Sequence, residues 1–210
     1  PDTPFPDPLA PGYLAQFTDG IVGSSGNDII TGWNSDDIIF GQGGNDTING
    51  GAGNDNINGG TGDDLIVGGG GNDILSGGSG ADTFKLNSGD QGIAATPARD
   101  IIKDFDTTTT DAANKDVLDL RDLLQGESHT AGNSGNLSSY LEFAQTKTVD
   151  VEGTNEVTLS VHSAGGANPV DQTIVLQNVT MAQLAGVPAG NPTSADVISH
   201  LLANNKLITD

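Results

Sequence analysis

The segment GGTGDDLIVGGGGNDILSGGSGADTF, residues 59–84, repeats a nine-residue pattern of glycines, an aspartate and a short apolar stretch. The pattern begins at Gly23, and seven consecutive rows run to Lys85 without a gap. Rows one to seven read GSSGNDIIT, GWNSDDIIF, GQGGNDTIN, GGAGNDNIN, GGTGDDLIV, GGGGNDILS and GGSGADTFK. Because self-similarity at a fixed short period is typical of solenoids, these rows predict a stack of similar coils.

Two of the nine places in a row hold one kind of residue throughout. Place six is always aspartate: Asp28, Asp37, Asp46, Asp55, Asp64, Asp73 and Asp82. Place eight is always a large apolar residue: Ile30, Ile39, Ile48, Ile57, Ile66, Leu75 and Phe84. Places one to six are turn residues, where glycine allows positive φ. Places seven to nine form a short strand whose middle side chain points inward, while its neighbours point out.

The stretch before row one, LAQFTDGIV at residues 14–22, is a weaker copy of the pattern. It keeps Asp19 at place six and Ile21 at place eight. We therefore interpret it as a degenerate capping row.

Composition limits the kinds of partner. The 210 residues include 28 Asp+Glu against seven Lys+Arg, for a net charge of −21, and no cysteine. This balance argues against nucleic acid and anionic membranes, which need basic surfaces, and the absence of cysteine excludes disulfides. A merely solubilising or halophilic acidic surface would have the same net charge, so the position of the acids decides.

There is no apolar run of transmembrane length and no secretory signal peptide. The chain opens with PDTPFPDPLAPG and not with Met, which favours the C-terminal part of a longer protein with a stiff, Pro-rich lead-in.

The aspartates of place six predict a metal. A column of carboxylates with few apolar neighbours repels itself unless cations fill it. Hard divalent ions prefer carboxylate and carbonyl oxygens, whereas the absence of cysteine and only three histidines argue against zinc and copper.

These rows resemble the RTX (repeats-in-toxin) calcium β-roll. The resemblance implies a mainly β protein, a right-handed parallel β-roll in which row n stacks on row n+2 and Ca²⁺ lies between successive coils. The implied aspartate pairs are Asp28/Asp46, Asp37/Asp55, Asp46/Asp64, Asp55/Asp73 and Asp64/Asp82, giving about five ions. A sixth, weaker site would use Asp19 and Asp37.

The resemblance also implies carbonyl ligands, from places two and four of one row and places one and three of the row stacked on it. They are the carbonyls of Ser24, Gly26, Trp33, Ser35, Gly41, Gln42, Gly43, Gly44, Gly50, Gly51, Ala52, Gly53, Gly59, Gly60, Thr61, Gly62, Gly68, Gly70, Gly77 and Ser79. Row two has Trp33 and Ser35 where other rows have glycine, so we expect distortion at the sites that use this turn.

The period stops after Lys85, and the remaining residues predict a mixed β/α region. YLEFAQT, EVTLSVHS and QTIVLQNV predict strands, with Val157, Leu159 and Val161 on one face. TMAQLAG predicts a short helix capped by Thr180, and TSADVISHLLANNKL predicts a longer one with Ser194 as N-cap. Asp100, Asp104 and Asp106 form either a further calcium site or a solvated acidic loop.

The order of these elements resembles the C-terminal target region of RTX proteins exported by type I secretion, as in large surface adhesins. It implies a Pro-rich linker at 1–13, a calcium-binding roll at 14–90, and a C-terminal capping domain with an uncleaved secretion signal at 91–210. The implied partner is the type I secretion machinery, with no nucleic acid and no membrane insertion. The implied location is outside a Gram-negative cell or on its surface, and the adhesion target is open.

Other functions find less support. The three histidines are isolated, and neither HExxH nor GxSxG occurs, so we do not expect an enzyme. The alternative is a calcium-stabilised ligand-binding module, for adhesion or ice, whose export is incidental. Place three lacks the regular threonine rank that an ice-binding face would need.

Overall fold

A computed structural model describes residues 20–92, 95–107, 115–124, 137–147, 155–163, 169–188 and 190–209. The predicted linker at 1–13 and Asp19 lie outside the described residues. The strands are β1 (Ile21–Val22), β2 (Ile29–Thr31), β3 (Ile38–Gly43), β4 (Thr47–Ala52), β5 (Asn56–Thr61), β6 (Leu65–Gly70), β7 (Ile74–Ser79), β8 (Thr83–Lys85), β9 (Ala98–Ile102), β10 (Val117–Asp119), β11 (Leu141–Lys147), β12 (Glu156–Val161), β13 (Gln172–Gln177) and β14 (Leu207–Ile208). The helices are α1 (Met181–Leu184) and α2 (Ser194–Ala203).

The repeat rows alternate between two sheets. One sheet has the order β1-β3-β5-β7-β9-β13-β12-β11, and the other has the order β14-β10-β8-β6-β4-β2. Within the repeats all pairs are parallel, and Ile39 faces Ile57 as Ile48 faces Ile66. This offset of two rows confirms that row n stacks on row n+2. The strands are longer than expected, because β3 to β7 continue from places seven to nine into the first three places of the next row.

The place-eight side chains form the core of the roll. All seven are buried, and they belong to one apolar cluster that continues into the C-terminal region. Place seven faces outward, as Ile29 at 81% and Ile38 at 46% exposure illustrate. This alternation follows from the two-residue period of a strand and confirms the inward and outward assignment.

The C-terminal region extends both sheets of the roll. Strand β9 pairs in parallel with β7, and β10 pairs in parallel with β8. Beyond them, β13 adds to β9 and β14 adds to β10. The last two strands of the first sheet, β12 and β11, are antiparallel. Val157, Leu159 and Val161 are fully buried, so the predicted apolar face of β12 is present.

Both predicted helices are present, but the N-cap of α2 differs from the expected one. Thr180 caps α1 as predicted. In α2 the N-cap is Thr193, whose hydroxyl accepts from the Asp196 N–H while the Asp196 carboxylate accepts from the Thr193 N–H. The hydroxyl of Ser194 instead donates to the carbonyl of Phe143 in β11 at 3.1 Å. Ser194 was therefore the wrong choice, because its partner belongs to a strand distant in sequence.

Candidate metal centre

The place-six aspartates form two columns, one at each edge of the roll where the chain turns between sheets. The backbone N–H of each aspartate donates to Oδ1 of the aspartate eighteen residues later. The five N–O distances are 2.8–2.9 Å, for Asp28 to Asp46, Asp37 to Asp55, Asp46 to Asp64, Asp55 to Asp73 and Asp64 to Asp82. The structure thus brings together all five predicted pairs.

The second carboxylate oxygen of four aspartates has no donor. Oδ2 is buried and without a hydrogen-bond partner in Asp46, Asp55, Asp64 and Asp73. Burial of an unpaired carboxylate oxygen is strongly unfavourable unless a cation or a donor compensates it. Two such oxygens in each column therefore fit cations bound between the coils.

Carbonyl oxygens of the next coil approach the same space. A Cβ added to Gly41 would come closer than 3.0 Å to both Asp46 Oδ2 and the Gly59 carbonyl oxygen. The convergence recurs for Asp28 with Gly41 O, Asp37 with Gly50 O, Asp55 with Gly68 O and Asp64 with Gly77 O. Place one therefore requires glycine. We call the space beside its Cα the cradle, and it lies between the place-six carboxylate of the same row and the place-one carbonyl of the neighbouring coil.

The carbonyls of places two and four also face the next coil. A Cβ on Gly60 or Gly62 would collide with the carbonyl oxygens of Gln42 or Gly44, and both glycines have positive φ, 115° and 123°. Some of these carbonyls also accept backbone bonds: Gly70 O of place three accepts from the Gly53 N–H at 2.8 Å, and the place-two carbonyls of Ser24 and Trp33 accept from the Gly43 and Ala52 N–H groups at 3.2 and 2.9 Å. Carbonyls of places one, two and four thus lie against the neighbouring coil, and those of place two are shared with backbone bonds in the first two rows.

The first two rows have a different turn. Asp28 Oδ2 accepts from the N–H and hydroxyl of Ser24 at 2.6 and 2.9 Å, and Asp37 Oδ2 accepts from the Trp33 N–H at 2.7 Å. Neither place-two residue has the positive φ that even Gln42 adopts, at 76°. The altered turn expected in row two is present, and row one shares it. The regular geometry begins at row three.

Burial makes these carboxylates reluctant to ionise. It raises the pKa of Asp55, Asp73 and Asp82 to about 6, and it raises the pKa of Asp46 and Asp64 as well. Bonds from the N–H groups of the preceding coil oppose this rise, whereas neighbouring carboxylates add to it. A divalent cation between the coils would favour the ionised carboxylates and so offset both the cost of burial and the repulsion between them.

Place five carries a second ladder that runs in the opposite direction. Its side-chain oxygen accepts from the N–H of the place-five residue eighteen positions later, as in Asn27 with Asn45 at 2.8 Å. The same bond joins Asn45 to Asp63, Asp63 to Ala81, Asp36 to Asn54 and Asn54 to Asn72. Asparagine and aspartate at place five thus connect coils. Ala81 only donates, because its methyl side chain has no acceptor.

The columns continue through two further aspartates: the sequence pointed to Asp100 only as part of a possible junction site, and Asp116 was missed. The Asp73 N–H donates to Asp100 Oδ1 and the Asp82 N–H donates to Asp116 Oδ1, each at 3.0 Å. Their offsets of 27 and 34 residues break the period. The local strings RDII and KDVL, which repeat places five to eight, were the available signal.

Of the three acids suspected near the junction, only Asp100 stands in a column. The Asp104 carboxylate accepts from the N–H groups of Gly77 and Gly78. The Asp106 N–H donates to Asp116 Oδ2 at 2.6 Å. Across the described ranges, no three His, Cys, Asp or Glu side chains form a metal cluster. A metal here would therefore depend on two carboxylates and on backbone carbonyls.

Comparison with known proteins found similar solved structures and one matching family model. The chain is similar to the AlgE6R3 subunit of the Azotobacter vinelandii mannuronan C5-epimerase, at 25% identity over 86% of this chain and 93% of that one, with a TM-score of 0.35. It is also similar to the AlgE6R2 subunit of the same enzyme, at 29% identity over 82% and 96%, with a TM-score of 0.32. No curated protein matches the chain.

In the described part of the chain, no helix is long and apolar enough to cross a membrane.

The family model of the RTX calcium-binding nonapeptide repeat matches residues 16–48 and 49–84. This family is a calcium-binding repeat and not a catalytic domain. Residues 16–84 are therefore RTX calcium-binding nonapeptide repeats, and residues 20–84 of them fold as a β-roll whose two sheets stack alternate rows.

Proposed function

We propose that this chain is the C-terminal folding and export region of a secreted or surface adhesin that passes through a type I secretion machinery. In the cytosol, where calcium is scarce, the roll stays unfolded and can be threaded. Outside the cell, about five Ca²⁺ ions, at sites with affinities of roughly 10⁻⁴–10⁻³ M, fold it.

The observation that carries the proposal is the set of four buried Oδ2 atoms without donors. The proposed ligands of each ion are the paired aspartates and the carbonyls of the two coils that face them. When bound, calcium supplies the positive charge that balances these buried carboxylates. The glycines of place one have no side chain, so they leave the cradle open for the ion.

The second support is the way the C-terminal region joins the roll. Because β9 and β10 extend both sheets, residues after the repeats provide two finished edges on which the last rows can pair. We propose that residues 91–210 combine this capping role with the export signal. In this proposal the segment has no catalytic role and does not insert into a membrane.

Circular dichroism with and without millimolar calcium tests the folding step. We expect a disordered spectrum in chelator at neutral pH and a β spectrum in calcium, with a midpoint shifted to higher calcium in D64N. The matched control is D63N, which changes an exposed carboxylate on the same turn. A chelated protein that is already fully β at neutral pH would contradict the switch.

An export assay separates the proposal from a ligand-binding module whose export is incidental. Deletion of the last fifty or so residues should abolish export and leave calcium-dependent folding of the repeats measurable in the purified fragment. Normal export combined with lost surface binding would instead favour the binding module.

A further inference from the structure

The column of place-six aspartates on one edge of the roll continues past the last row that could supply a partner for Asp73. Asp73, in row six, is completely buried, and its Oδ2 has no hydrogen-bond partner. No eighth row follows in the sequence. The next coil on this edge is provided by the C-terminal region, through strand β9.

Asp100 occupies place six of this substitute coil. It is 4% exposed, and its Oδ1 accepts from the Asp73 N–H at 3.0 Å, as in every preceding coil of the column. The place-five ladder extends in the same way, because Asn72 Oδ1 accepts from the Arg99 N–H at 2.8 Å. Asp100 therefore matches a row aspartate in burial, register and backbone bonding.

The carbonyl side of the site is also built. Gly69 and Gly71 hold places two and four of row six, with φ of 101° and 137°. In the preceding coil of this edge, Gly51 and Gly53 hold these places with φ of 108° and 130°, and their carbonyls face row six. Because Gly69 and Gly71 share this backbone conformation, we infer that their carbonyls face the next coil on this edge, which is that of β9.

We propose that a further calcium ion binds between row six and β9, held by Asp73 Oδ2, the Asp100 carboxylate and the carbonyls of Gly69 and Gly71. This inference rests on the proposed calcium ligation of the roll. The ion would join the repeats to the C-terminal region, so that folding of the two is coupled through one shared site.

Electrostatics support the position. Burial raises the pKa of Asp100 to about 8 and that of Asp73 to about 6, and the nearby Asp90 carboxylate raises both further. The only donor that Asp100 Oδ2 receives is the side-chain amide of Gln172, at 2.7 Å. This amide is neutral, so it does not balance the charge of the ionised Asp100 carboxylate.

The opposite edge closes differently and provides an internal comparison. There Asp116 Oδ2 accepts from the Asp106 N–H at 2.6 Å. The ammonium of the fully buried Lys206 donates to the Asp106 carbonyl at 2.5 Å and lies 3.7 Å from the Asp106 carboxylate. Asp82 Oδ2 is not among the buried oxygens without a partner. At this edge, the positive charge at the end of the aspartate column is thus the ammonium of Lys206.

Counting ions in the calcium-saturated full chain tests the proposal. Native mass spectrometry and titration calorimetry should find one ion fewer in D100N than in the unaltered chain. The matched variant D116N should keep the full number. Asparagine retains the Oδ1 acceptor for the Asp73 N–H, and Gln172 can reverse its amide to accept from the new one.

The outcomes are separable. An unaltered chain that binds no calcium would refute the proposed function as a whole. A D100N protein with the full ion number, or a D116N protein that also loses one, would overturn this inference alone. Because D100N alters a buried position, a second measurement uses the unaltered chain. Crystals grown with calcium should show anomalous density between Asp73 and Asp100, and its absence overturns the site.

Discussion

Acidification should partly substitute for calcium in stabilising the folded roll, because without calcium the buried carboxylates are more stable when protonated. Asp55, Asp73 and Asp82 have pKa values raised from 3.8 to about 6 in the folded chain. The folded state therefore binds protons more tightly than the unfolded state. The resulting penalty is absent below about pH 4, grows between pH 4 and 6, and is complete above about pH 6.

The magnitude follows from linkage. For a carboxyl moved from pKa 3.8 to about 6, the penalty is roughly 3 kcal/mol at pH 7 and roughly 1.6 kcal/mol at pH 5. The three groups together regain about 4 kcal/mol on acidification, against a typical total stability of about 5–15 kcal/mol. This gain is large enough to shift the folding equilibrium of the calcium-free chain visibly.

The assay is circular dichroism and urea unfolding in excess chelator at pH 7 and pH 5, both above the sequence pI of about 4.1. We expect more β signal and a higher urea midpoint at pH 5. The triple variant D55N/D73N/D82N should lose the part of this pH response that its three carboxyls supply, whereas D63N should keep the full response. Asp100 and Asp116, whose pKa values burial raises to about 8 and about 7, supply a further part that the triple variant retains. Equal stability of the calcium-free chain at the two pH values would refute the reasoning.

Three further substitutions test the packing. G41A should remove one ion and weaken calcium-induced folding, since its Cβ would fill the cradle. The control is G70A, whose added Cβ has nothing within 4 Å. Its free energy of unfolding by urea in calcium should stay within about 0.5 kcal/mol of the unaltered chain. I57A empties a fully buried place eight and should cost about 2–5 kcal/mol in the same assay, while I29A, at 81% exposure, should be near neutral. K206M removes a buried charged donor and should cost roughly 1.5–3 kcal/mol in saturating calcium, and an unchanged urea midpoint would contradict its role at the end of the column.

The repeat predicted the buried place-eight residues, because a nine-residue period sets which side chain of each short strand points inward. Two-row stacking and the five aspartate pairs came from the resemblance to the RTX β-roll, and the period alone does not fix them. The continuation of the columns through Asp100 and Asp116 followed from neither, since chain segments of irregular length separate them from the last rows. Their position is set by strand pairing of β9 and β10, which a spacing argument does not contain.

Local chemistry also left choices that only distant contacts decide. Thr193 and Ser194 are adjacent and both are good N-caps, so the contact of Ser194 with Phe143 selects between them. Similarly, the asparagines of place five resemble surface decoration in the sequence. Their coil-to-coil bonds become visible only when rows eighteen residues apart are brought side by side.

The two ladders at the turns point in opposite senses, and this gives the stack a polarity. Place-five oxygens reach toward the C-terminal neighbour, whereas place-six carboxylates reach back toward the N-terminal one. Two such rolls meeting head to head would oppose like groups, so neither ladder could cross the junction. Growth of the roll at its first rows is thus a one-way process, open only to a chain that arrives in the same orientation.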